Sequence, residues 1–229
     1  MIKEIVNLKE ANIYQKDKLI LSNIDLKISK GEFVYLIGKT GSGKSSLLKT
    51  MYADIPLKSG KGEMVGYELS SIKASQVPGL RKKLGIVFQD FNLLMDRSIQ
   101  QNMTFVLKAT GWEDTDKMKK RISLVLELVG LDRTIASKMP HEISGGEQQR
   151  AVIARALLNK PEMIIADEPT GNLDPETSDD ILKLFRDLSD LHNPSVLFAP
   201  HDFRILENFP ARIVRCHNGN LIEPEDLLS

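Results

Sequence analysis

The chain has 229 residues, 41% hydrophobic and 27% charged, enough for one large α/β domain or a core carrying an insertion. Its 31 Lys+Arg balance 31 Asp+Glu, so no overall basic field argues for a nucleic-acid partner. One cysteine, Cys216, excludes an internal disulfide framework, fits a reducing compartment and reads as a small buried hydrophobe. No run approaches the roughly 18–20 continuous apolar residues of a membrane span, and Met1-Ile2-Lys3-Glu4 lacks a signal-peptide core. The expected location is the cytoplasm, with any link to a membrane made through a partner.

Residues 3–30 alternate apolar and polar, which predicts short antiparallel strands with polar turns. Tyr14, between these runs, has two readings: an aromatic face for a base, or a half-buried strand aromatic. Phe33 to Ile37 is apolar at consecutive positions, the pattern of a strand buried on both faces. It runs into Gly38-Lys39-Thr40-Gly41-Ser42-Gly43-Lys44-Ser45, which fits G-x-x-x-x-G-K-[ST], and Ser45 to Met51 reads as a helix. In that context backbone N–H groups close around phosphates and the helix N-terminus adds partial positive charge. Gly38, Thr40, Gly41, Ser42, Gly43 and Ser46 are therefore expected to cradle a nucleoside triphosphate. Lys44 would reach the β- and γ-phosphates, and the Ser45 hydroxyl would bind Mg²⁺.

Lys58 to Gly62 reads as a turn, Glu63 to Tyr67 as a return to the antiparallel layer, and Pro78-Gly79 as a break within a polar, basic stretch. Leu84 to Phe88 is a second buried-strand candidate. It ends at Gln89, either a Mg²⁺ or water ligand or an ordinary loop residue. From about 90 to 143 helical periodicity replaces strand runs, with Ile122, Val125, Leu126 and Val129 on one face, and predicts a helical insertion. Trp112 and the acids Glu113, Asp114 and Asp116 are placed at its exposed tip, the acids as a helix start or a solvated face. Phe91, Leu93, Leu94 and Met95 form an apolar run where a solvated loop is expected. They are either a groove for a partner helix or packing onto the insertion's own helices.

Ser144-Gly145-Gly146-Glu147 has the spacing of a capping box, and its two glycines also leave backbone N–H groups open to an anion. Met163 to Ala166 is a third buried strand, ending in Asp167-Glu168. Two adjacent carboxylates there are costly unless something requires negative charge. Mg²⁺ does, with Asp167 as its carboxylate ligand, and Glu168 is placed to polarise a water for attack on the γ-phosphate. Asn172 to Pro175 turns into a helix running to about 191. Ser195 to Ala199 is a fourth strand, after which His201 is either a γ-phosphate contact or a structural histidine. Arg212 to Glu223 is a hairpin around Asn218-Gly219. His141, His192 and His217 lack metal-ligand spacing.

Taken in order, the chain has the glycine loop, Gln89, Ile143-Ser144-Gly145-Gly146-Glu147-Gln148-Gln149-Arg150, Ile164 to Glu168, Asn172-Leu173-Asp174 and His201. That order resembles the nucleotide-binding subunit of ABC transporters across essentially the whole chain. The resemblance implies an α/β fold: a P-loop NTPase core of the ABC type over residues 1–229. This core carries an N-terminal antiparallel β layer and a helical subdomain inserted at 90–145. It further implies an ATP-dependent homodimer in which two subunits stack head to tail. Tyr14 would take the adenine, and Gln89 magnesium and signal transmission. Ser144 and Gly146 would reach the γ-phosphate of the other subunit's ATP, with Gly145 and Glu147 completing that segment. Glu168 would be the base and His201 the γ-phosphate sensor.

Within the family, Ala166 to Asp174 is typical of the lipoprotein-release, macrolide-export and cell-division branch. Phe88-Gln89-Asp90 followed by Leu93 to Arg97 is most similar to its cell-division members. Those act with an FtsX-like, permease-like integral membrane subunit on the inner face of the cell membrane. The alternative is the ATPase of a lipoprotein-releasing or macrolide-export transporter. One copy of each motif and a short insertion argue against a soluble ABC-type ATPase working on DNA or ribosomes. Two departures stand out: Ile143 where the family usually has Leu, and Pro200 where Thr commonly precedes the histidine.

Overall fold

The N-terminal segment forms β1 (Glu4–Gln15) and β2 (Lys18–Ser29), an antiparallel pair of twelve-residue strands rather than the short strands expected. The period-2 pattern misleads because the ladder is bulged. Its register shifts near Leu8/Ala11, and Glu10 and Asn23 both sit at φ 49°. The computed structural model describes residues 3–223; Met1, Ile2 and residues 224–229, all within the expected 1–229 domain, lie outside it.

In chain order there follow β3 (Phe33–Ile37), α1 (Lys44–Met51), β4 (Ser59–Met64), β5 (Tyr67–Glu68), α2 (Val77–Lys82) and β6 (Leu84–Val87). Next come α3 (Ile99–Ala109), α4 (Thr115–Leu128), 3₁₀ turns at Arg133–Ser137 and Pro140–Glu142, and α5 (Gly145–Leu157). The chain continues with β7 (Met163–Asp167), α6 (Pro175–His192), β8 (Ser195–Ala199), α7 (Ile205–Asn208), β9 (Arg212–His217) and β10 (Asn220–Ile222).

Two sheets result. The smaller is antiparallel, with order β2-β1-β4-β5, and the larger has order β10-β9-β3-β8-β7-β6, parallel except for β10. β4 occupies the stretch read as a turn. Its glycines are there for proximity: a Cβ on Gly60 would meet Glu10 O at 2.3 Å, and one on Gly62 would meet Leu57 Cδ2 at 2.7 Å. The Asn218-Gly219 hairpin forms as expected, both residues at positive φ (48° and 81°).

Side chains on the two faces of the large sheet feed two apolar clusters. One joins Tyr35, Phe198, Ile164 and Ala166 to α5, α6 and the helices of the insertion. The other joins Val34, Leu36, Leu197 and Ile165 to α1 and the antiparallel layer, and takes in Cys216, whose thiol burial pushes up to about 12. The insertion therefore has no core of its own: Ile122, Val125, Leu126 and Val129 share the cluster of the sheet.

Trp112 is not at an exposed tip. It is half-buried against that cluster, and its Nε1–H donates to Asn159 Oδ1 at 3.2 Å. The neighbouring acids are exposed, and Asp114 is the N-cap of α4, accepting from the backbone N–H of Asp116 and Lys117. The apolar run after Gln89 divides. Leu93 is buried and Phe91 half-buried, whereas Leu94 and Met95 are 38% and 55% exposed. Among the described residues no helix is long and apolar enough to cross a membrane.

Candidate active site

Parallel strands bring their carboxyl ends to one edge of the sheet, and the segments singled out from sequence follow β3, β6, β7 and β8 there. At the end of β3 the chain turns sharply through Gly38 (φ 152°). A Cβ there would meet Ser42 Oγ at 2.5 Å and Cys216 O at 2.7 Å, so only glycine fits. Gly41 (φ 78°) and Gly43 (φ 108°) complete the loop. Gly43 is the N-cap of α1 and offers no side-chain cap, which leaves the first-turn N–H groups without a side-chain acceptor. Thr40, Gly41 and Ser45 are exposed, Ser42 is half-buried and Ser46 is buried. Lys44 is buried; its Nζ donates to Gly38 O at 2.9 Å and lies 3.8 Å from Glu168 Oε1.

Beside this loop lies a cavity of about 380 Å³ lined by Ser45, Phe88, Gln89, Asp90, Asn92, Asp167 and Glu168. Asp167 Oδ1 is buried there without a hydrogen-bond partner. Burial raises the carboxyl pKa of Asp167, and the charge of Glu168 adds to that, while the Ser45 hydroxyl and the Lys44 and Lys49 ammonium groups pull it down. An orphaned carboxylate oxygen grouped with a hydroxyl and a side-chain amide is a set of hard oxygen donors. Such a set suits a divalent cation of the magnesium type, so these residues fit that ion. Glu168 has φ 49°, and its N–H donates to Ala199 O at 2.9 Å, tying the end of β7 to β8.

The loop after Glu168 reaches Gln89. Asn172 Nδ2 donates to Gln89 O at 3.0 Å, and a Cβ on Gly171 would meet Gln89 Nε2 at 3.0 Å. His201 is exposed and lines a different cavity, of about 240 Å³, with Thr170, Gly171, Asp179, Asp202 and Arg204. The Arg204 guanidinium and backbone N–H hold the Asp202 carboxyl below its ordinary range.

The N-terminus of α5 realises the capping box: Ser144 Oγ accepts from Glu147 N–H at 3.2 Å, and Glu147 Oε2 accepts from Ser144 N–H at 2.8 Å. The second bond holds the Glu147 carboxyl below its ordinary range. Ser144 and Gly145 are exposed, and among the described residues no hydrogen bond or ion pair joins this segment to the glycine loop. Tyr14 is half-buried on β1, with Lys58 Nζ 5.6 Å from its ring centroid. The structure thus gathers Lys44, Ser45, Gln89, Asp167 and Glu168 in one place and leaves Tyr14, Ser144 to Glu147 and His201 outside that group.

Sequence reasoning missed Arg155 on α5, which donates from Nη2 to Phe91 O at 3.0 Å and from Nη1 to Asn92 O. Burial lowers the pKa of this guanidinium, and it clamps the backbone just after Gln89. An arginine among the apolar residues of α5 was the available signal. The sequence pattern marks Asn172 only as part of a turn and a motif, and does not mark Thr177 at all.

A family model described as ABC transporter matches residues 21–171. The cell division ATP-binding protein FtsE of Mycobacterium tuberculosis is 42% identical over 205 residues, covering 90% of this chain and 88% of that protein. FtsE of Streptococcus pneumoniae serotype 2 is 37% identical over 212 residues, 93% of this chain and 91% of that one. Among solved structures, the dimeric ATP-binding cassette MJ0796, in a post-hydrolysis state bound to ADP and Pi, superimposes with a TM-score of 0.81. It is 30% identical, and the match covers 95% of this chain and 98% of that chain.

Proposed function

This chain belongs to the ABC transporter family as an ATP-hydrolysing subunit, and we propose that it uses Mg-ATP, as a head-to-tail homodimer, to signal to an FtsX-like membrane partner in cell division. The observation that carries the chemical part is the Asp167 oxygen left unpartnered beside Ser45, Gln89 and Glu168, next to a buried lysine at the end of a glycine loop.

In this reading the loop from Gly38 to Ser46 wraps the β- and γ-phosphates with its backbone N–H groups. Lys44 exchanges the Gly38 carbonyl and Glu168 for phosphate oxygens, a stronger charge-assisted pairing, and so frees the Glu168 carboxylate. Ser45, Gln89 and Asp167 would hold a magnesium ion, which when bound would neutralise phosphate charge. Glu168 orients and polarises the attacking water, and its link to Ala199 fixes where that carboxylate starts. His201 contacts the γ-phosphate from the end of β8, and the adenine stacks on Tyr14.

Ser144 to Glu147 serve the ATP of a second copy. Their support is that Ser144 and Gly145 are exposed, and that the segment is internally capped and untied to the chain's own glycine loop. For the membrane partner the support is a groove of about 670 Å³ between α2, β6, α3 and α5, floored by Leu84, Ile86 and Phe88, together with exposed Leu94 and Met95. Its place would be the inner face of the cell membrane, held there by the partner. Cell division is favoured over lipoprotein release by the relatives' names and by the stretch from Phe88 to Arg97.

Glu168→Gln tests the reaction and the assembly together. It keeps the shape and removes the base, so Mg-ATP should persist and hold a two-fold dimer visible by light scattering. A variant that stays monomeric at high concentration, or hydrolyses ATP at the wild-type rate, contradicts the assignment. Identifying the membrane protein that co-purifies with the chain tests the branch.

A further inference from the structure

Between Gln89 and the Ser144–Glu147 segment lies a strut made of the 171–174 turn and the first turn of α6. At one end Gly171 approaches the Gln89 side chain, as above. At the other, a Cβ on Gly145 would lie 3.7 Å from Leu173 Cδ2, an ordinary contact, but a Cβ on Gly146 would lie 3.0 Å from Thr177 Cγ2. Gly146 sits in the first turn of α5 without a positive φ, so its backbone does not demand glycine.

What limits the position inside one chain is therefore the Thr177 methyl, and that methyl is not free to turn away. Thr177 N–H donates to Asp174 Oδ1 at 2.9 Å and Thr177 Oγ1 donates to Asp174 Oδ2 at 2.6 Å. With the hydroxyl held by Asp174, the rotamer is fixed and the methyl is the surface on which Gly146 rests.

We infer that Thr177 is a positioning residue for hydrolysis: its methyl seats Gly146, and so sets where Ser144 and Gly146 are presented relative to the loop that touches Gln89. The inference rests on the reading that those two residues serve the ATP of a second copy. The Thr177 methyl then limits residue 146 within its own chain, in addition to whatever Gly146 meets across the dimer.

The test is a complementation between two side chains. Gly146→Ala should lower kcat by about five- to tenfold, less than the roughly hundredfold cost of a full ångström of misplacement, because the 3.0 Å approach asks for a shift of a few tenths of an ångström. Calorimetric ATP affinity of the single chain and the thermal midpoint should stay as in wild type. Thr177→Ser keeps the bond to Asp174 and removes the methyl, so turnover should fall by about two- to fivefold as the segment loses its seat.

The double variant puts back at residue 146 the carbon removed at residue 177, and should turn over faster than either single one, losing less than about twofold against wild type. A double variant no faster than Gly146→Ala overturns the inference and assigns the glycine to the approach of nucleotide or partner. Wild-type kcat in Gly146→Ala alone overturns it too. Thr177→Ala in place of serine gives a second double variant should the first fail to fold. If Glu168→Gln never dimerises with Mg-ATP while Gly146→Ala is still rescued by Thr177→Ser, the two-copy reading fails and the seat stands. Absence of both removes both.

Discussion

Asp167 sits half-buried with one oxygen lacking a donor, and burial is the largest of the influences that raise its pKa. A carboxyl whose folded-state pKa lies above the unfolded value binds its proton more tightly when folded. Without a cation, stability should then fall as pH rises from the unfolded value through the folded one, and return on acidification. Asp167→Asn removes the charge, so its melting curve should lose that dependence. Above the window it should be more stable by about 1–2 kcal/mol, a rise of a few degrees, and magnesium should no longer add to stability. Lys44 offers the opposite case. Its ammonium is held for a task that no neighbour duplicates, so Lys44→Ala should weaken ATP binding by about ten- to a hundredfold in calorimetry with the fold intact.

At the scale of elements, the segment after Gln89 divides between a buried side chain and exposed ones within three residues. Leu93 belongs to the core, so Leu93→Ala should cost about 2–4 kcal/mol and lower the thermal midpoint. Met95 faces outward, so Met95→Glu should leave that midpoint and ATP affinity unchanged, while the proposed membrane partner should no longer co-purify. Such a split was not legible in the sequence, where Phe91 to Met95 reads as one apolar run.

The buried parallel strands were legible because both their faces are covered, and the continuous runs Phe33 to Ile37 and Met163 to Ala166 have no other explanation. β4 was not, since its glycines mimic a turn and their purpose appears only when Glu10 and Leu57 are brought against them. The same holds at the site. Lys44, Asp167 and Glu168 announce themselves through local pattern. The Arg155 clamp on Phe91 and the Thr177 seat for Gly146 join residues that lie far apart along the chain, and no local pattern encodes them.

At the scale of the whole molecule, successive residues of the central strands alternate between the two apolar clusters. Val34 and Leu36 face one and Tyr35 the other, and the same holds for Leu197 against Val196 and Phe198, and for Ile165 against Ile164 and Ala166. An opening that frees the backbone of β3, β8 or β7 must therefore loosen both clusters. Amide deuterium uptake should show it: these three strands should exchange last, at a rate set by global unfolding alone. A truncation in either cluster, Leu47→Ala beneath one face or Phe185→Ala above the other, should then speed exchange throughout all three strands by one common factor. The two apolar masses never touch across the sheet, yet the strands between them make them melt as one.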